Sequence, residues 1–96
     1  MKSLKLMADY HCHPLWDMSL GGYGDIDPCE LPISKKLQIR LAKWAATYDE
    51  TLDAEYPPNS GFKSDELERE FKLEGERLAA SLMSELGPGI SILFKF

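Results

Sequence analysis

No stretch of this 96-residue chain carries a motif that names an enzyme. Cysteine is scarce: Cys12 and Cys29 stand alone, and in a chain expected to stay in the cytoplasm both are expected to remain thiols. No run of about 18 apolar residues occurs, so no transmembrane helix is expected. Met1-Lys2-Ser3-Leu4-Lys5 is followed by no long apolar stretch, so no signal peptide is expected and the protein should stay in the cytoplasm. Positive charge is also short. The net charge of −5 argues against binding a phosphate backbone as the main activity. No internal repeat or low-complexity segment appears. What remains is a short chain, 44% apolar, enough for one small core and one domain.

Two long amphipathic segments dominate. Leu37, Leu41, Trp44, Ala45, Tyr48 and Leu52 recur at spacings of three and four, the period of one helix face. Ser34 is placed to cap this helix, read over 34–55. Pro57 and Pro58 cannot continue it, and Asn59, Ser60 and Gly61 are turn residues. The second helix, 64–86, starts at Ser64, with Asp65 and Glu66 suited to the positive end of its dipole. Its stripe is Leu67, Phe71, Gly75, Leu78, Leu82 and Leu86. Gly75 within that stripe implies a close approach, by Trp44 or Ala45 of the other helix. Gly87 and Pro88 end the segment.

Residues 4–12 alternate, with Leu4, Leu6, Ala8, Tyr10 and Cys12 on one side; residues 90–96 do the same. The spacing predicts an α+β fold: an antiparallel helical hairpin packed on a small sheet formed by the N- and C-terminal strands, β-α-α-β in two layers. Whether those strands pair parallel or antiparallel depends on the path of the long loop, 14–33. Two strands alone leave open edges, which the loop, another chain or a homodimer must cover. The loop holds Leu15, Trp16, Leu20, Tyr23, Ile26 and Leu31, so it should pack; Asp27-Pro28-Cys29-Glu30 has the form of a capped single turn.

Charge is uneven. Asp49, Glu50, Asp53, Glu55, Asp65, Glu66, Glu68 and Glu70 stand against Lys63 and Arg69 alone, so 49–70 carries −6 and the remainder +1. An antiparallel hairpin brings these acids to one pole. Asp49, Glu50 and Asp53 oppose the dipole of their own helix, a placement that stability alone would not select. The bland reading is a solvated surface; the sharper one is an acidic face for a basic partner. Asp49, Glu50, Asp53, Glu55, Asp65, Glu66 and Glu68 are the candidate partner-binding residues, with Trp16 and Tyr23 as aromatic anchors.

Other chemistry fits poorly. His11 and His13 point to one side of a strand and Cys12 to the other, and with Cys29 they match no zinc spacing. No cofactor or metal is therefore expected. Thiol catalysis lacks a local signature. Asp25 and Asp27 lack the further ligands of a calcium loop and suit turns. Gly21-Gly22-Tyr23-Gly24 is followed by no lysine and does not form a phosphate cradle.

Tyr10 with Pro14-Leu15-Trp16, Asp25-Ile26-Asp27-Pro28, Leu31-Pro32-Ile33-Ser34, Trp44-Ala45 with Tyr48-Asp49, Ser60-Gly61-Phe62, Phe71 to Gly75 and Glu85-Leu86-Gly87 together resemble small acidic bacterial proteins. Some of these look like immunity proteins of contact-dependent growth inhibition or related polymorphic toxin systems. The resemblance runs from about Tyr10 to Gly87 and rests on structural motifs. It implies a non-enzymatic inhibitor that binds a cognate toxin domain, with no catalytic residues to carry over. A toxin of the basic nuclease kind would complement the acidic face. The alternatives are a small module that self-associates through its strand edges and, less favoured, a metal or thiol enzyme using His11, Cys12 and Cys29.

Overall fold

A computed structural model describes residues 3–18, 24–52, 55 and 61–95. In chain order it contains β1 (Ser3–Leu6), β2 (Leu15–Asp17), β3 (Asp25–Ile26), a 3-10 turn (Pro28–Glu30), α1 (Lys35–Asp49), α2 (Asp65–Leu86) and β4 (Ser91–Phe94). The fold is α+β: two helices cover one face of a four-stranded mixed sheet of order β3-β2-β1-β4. The terminal strands β1 and β4 are neighbours and pair parallel, Leu4 opposite Ile92 and Leu6 opposite Phe94. Residues 14–33 do not merely cover an edge of that pair. They supply β2, antiparallel to β1, and β3, antiparallel to β2.

Alternation places Leu4, Leu6 and Leu15 on the inner face of the sheet, all buried. They meet Leu37, Leu41 and Trp44 of α1 and Phe71, Leu78 and Leu82 of α2. Ser34 Oγ accepts the Leu37 N–H at 3.2 Å, and Ser64 Oγ does the same for Leu67. Glu85 fastens the start of α1 to the end of α2: its carboxylate accepts the Ser34 N–H at 2.5 Å and the Ser34 hydroxyl at 2.9 Å. A Cβ at Gly75 would lie 2.5 Å from Phe94 Cζ and 3.0 Å from Trp44 Cζ2. The close approach is therefore made first by a ring from the sheet, and then by the partner helix.

Three elements stop earlier than sequence periodicity carries them; the last, β4, is Ser91–Phe94 where alternation gave 90–96, with Phe96 outside the described residues. β1 ends at Leu6, not at residue 12. Met7 N–H still bonds to the Pro14 carbonyl, but Asp9 to Cys12 turn instead of extending. Tyr10 is drawn out of the strand line onto Tyr48, ring centroids 4.6 Å apart, and its hydroxyl meets Thr51 Oγ1 at 2.8 Å. His11 takes a left-handed φ of 60°. α1 ends at Asp49, not at residue 55. Thr51 closes on the Tyr48 carbonyl with both its N–H, at 3.0 Å, and its hydroxyl, at 2.6 Å, which tightens the last turn. Acids at that end oppose further winding.

Candidate functional site

Where α1 ends and α2 begins, the two helices border an open groove of about 1060 Å³. Helical spacing aims Arg40, Lys43 and Thr47 of α1, with Glu50 at its C-cap, at it, and Leu67, Glu70 and Glu74 of α2. Glu55, Phe62 and Lys63 from the connecting segment complete the lining with Trp44 and Phe71. The aromatic part is closely packed. Trp44 and Phe71 stack at 4.4 Å with planes 5° apart, and the indole N–H donates to the Phe71 carbonyl at 2.9 Å. Phe62 packs on Phe71 at 5.1 Å. Leu67, assigned by periodicity to the core stripe, is 48% exposed here.

The electrostatics are more structured than a uniform acidic face. Arg40 pairs with Glu74 across the helices at 3.3 Å, and Arg77 approaches the same carboxylate at 3.9 Å. Glu50, Glu55 and Glu70 then face Lys43 and Lys63 among the lining residues. The groove is thus mixed in charge with an acidic excess. Of the acids singled out by sequence, Glu50 and Glu55 line it. Asp65 and Glu66 are exposed in the first turn of α2. Glu68 borders a smaller cavity with Tyr10, Tyr48 and Phe62. Asp49 turns away from the groove and accepts the His11 N–H at 3.0 Å. Asp53 and Tyr23 lie outside the described residues. Trp16 sits on the sheet face turned away from the helices, where its indole N–H donates to the Met7 carbonyl at 2.9 Å and Lys5 Nζ lies 5.9 Å from its ring. Glu70, Phe62 and Leu67 are groove residues that the candidate set omits. The signal for Glu70 was present, since it belongs to the same acidic run.

A third cavity lies at the other flank of α1, lined by His11, Cys12, His13, Asp25, Asp27, Cys29 and Asp49 among others. Its carboxylates Asp25, Asp27 and Asp49 are engaged with the backbone. Asp25 accepts the His13 N–H at 2.6 Å, and Asp27 accepts the Cys29 N–H at 2.9 Å. That bond holds the Asp27 carboxyl below its usual range. Desolvation, then the carboxylates of Asp9, Asp25 and Asp49, push the Cys12 thiol up. The hydrogen bond to Asp27 does the same to Cys29. Raised thiols run opposite to nucleophilic activation. Among the described residues, no three His, Cys, Asp or Glu side chains are placed to hold a metal ion. No helix among them is long and apolar enough to cross a membrane.

Together these features describe a small two-layer α+β protein whose two helices border an open groove floored by packed aromatic rings and rimmed by charge. A family model described as Serratia CdiI immunity protein-like matches residues 2–95, and the chain belongs to that family. No curated protein matches it. Membership supports the role of an immunity protein of the contact-dependent inhibition type, one that binds a cognate toxin protein.

Proposed function

We propose that this protein neutralises its toxin stoichiometrically, without turnover, in the cytoplasm of the cell that makes it, and that the groove at the hairpin tip is the docking surface. The observation that carries this reading is the convergence of Glu50 at the C-cap of α1, Glu55 of the connecting segment and Glu70 of α2 around half-buried Phe62 and exposed Leu67. An apolar centre rimmed by charge is the arrangement in which interface energy concentrates. Asp65 and Glu66 in the next exposed turn extend the negative field, with Asp53 and Glu68 nearby in sequence. Such a field steers a cationic partner and can occupy a basic nuclease cleft. Asp49 is held by the His11 N–H and contributes through charge alone. Trp16, across the sheet from the helices, is replaced by Phe62 and Leu67 as the anchors of this surface.

The test is co-purification with the toxin domain from the parent strain in low and moderate salt, followed by titration calorimetry. One-to-one binding is expected. The triple variant Glu50→Lys, Glu55→Lys, Glu70→Lys should lose capture of the toxin and protection of the cell while remaining folded. Unchanged capture by that variant would show that the toxin docks elsewhere.

A further inference from the structure

We propose that the open edge of β4 pairs with the same edge of a second copy of this chain, antiparallel about Leu93, to form one continuous eight-stranded sheet. β4 is the last strand of the order β3-β2-β1-β4, so one of its sides faces no other strand among the described residues. The parallel ladder sets which backbone groups point where. Lys95 N–H donates to the Leu6 carbonyl at 2.9 Å, and the register pairs Leu6 with Phe94. Successive residues of a strand turn their N–H and C=O to opposite sides. Ser91, Leu93 and Lys95 therefore bond toward β1, and Ile92 and Phe94 direct theirs outward. That is a short template for strand addition.

The edge has little of what blunts such a template. Its sequence, Ser91-Ile92-Leu93-Phe94-Lys95, has no proline and a single charge. It is also self-complementary in one register. A two-fold axis perpendicular to the sheet keeps each side chain on its own face, so residues of equal parity must oppose each other. With Leu93 on the axis, Ile92 meets the mate's Phe94 on the inner face, and the outward groups of both residues are exchanged. Leu93, 56% exposed on the outer face, covers its own mate. Lys95 falls opposite Ser91, so no like charges meet. The two core layers then continue across the axis. Strand pairing of this length covers less surface than a standard interface, so the association is expected to depend on protein concentration.

Sedimentation of the purified chain from micromolar to millimolar concentration tests this. A monomer–dimer equilibrium is expected. Leu93→Lys, an exposed change that sets two cations on the axis, should leave the circular dichroism spectrum intact and the protein monomeric. The register is read separately in a Cys12→Ser, Cys29→Ser background. Paired residues that exchange no hydrogen bonds approach to about 4.5 Å between Cα atoms, within disulfide reach. Leu93→Cys should then form a cross-linked dimer on mild oxidation, and Ser91→Cys should not. A monomer at every concentration without a Leu93→Cys cross-link overturns the proposal, as does a dimer that survives Leu93→Lys. Equal cross-linking at both positions overturns the register.

Discussion

At Gly75, two preferences of a single residue compete. Alanine is the better helix former by about 1 kcal/mol. A methyl group there, however, would meet Phe94 Cζ at 2.5 Å and Trp44 Cζ2 at 3.0 Å. Trp44 is buried, stacked on Phe71 and bonded through its indole nitrogen, so it has little room to retreat. Overpacking of this kind costs about 1–3 kcal/mol, which outweighs the propensity gain. Gly75→Ala is therefore expected to lower the denaturant midpoint. A rise in stability would mean that the Phe94 ring swings aside freely. Trp44→Phe removes the donor to the Phe71 carbonyl and part of the ring, and is expected to cost about 1–3 kcal/mol by the same measurement.

Helices and turns in this protein are held at their ends by particular side chains. Ser34 is used twice, accepting from Leu37 and donating to Glu85. Ser34→Ala is expected to lose about 1 kcal/mol. Glu85→Ala releases the Ser34 N–H and hydroxyl together. Because the two residues share one bonded unit, the double variant should be less destabilised than the sum of the singles, as a double-mutant cycle would record. The 3-10 turn is pinned by Asp27 in the same manner, and this one depends on pH. Its carboxyl lies below the ordinary range when folded, so it binds protons less readily than in the unfolded chain. The stability it contributes is present above the unfolded value and is lost as pH falls through the folded one. Denaturant midpoints of the native chain and of Asp27→Asn, compared from neutral pH downward, should converge in acid. A constant gap would remove Asp27 from the account.

At the scale of the whole molecule, the proposed docking is a question of the summed field. The acidic excess lies on 49–70, from the end of α1 through the first turns of α2, so if the toxin is cationic, as proposed, association should slow as salt rises, with dissociation changing less. Stopped-flow mixing of the two proteins at several ionic strengths measures both rates. Reversal of Asp49, which is turned toward His11 at the other flank of α1, should change the association rate modestly. Reversal of Glu50 and Glu70 in the groove should also speed dissociation. Equal effects at the two places would argue for a diffuse field with no docking groove.

The helical hairpin was legible because its information is local. A three-to-four period, a serine at each start and a glycine–proline stop act within a few residues of themselves. The two terminal strands were legible by alternation for the same reason. Tertiary structure decided what depends on partners distant in sequence. Tyr48 and Thr51 draw Tyr10 out of the first strand. The short segments of β2 and β3 count as strands only beside β1, and with β2 on one edge of β1, β4 takes the other, in parallel. The same distant contacts sorted the acids, sending Asp49 to His11 and Glu50 to the groove, although the two are neighbours in the chain. Adjacent positions at a helix end point about 100° apart, and only the packed neighbours determine what each of them meets.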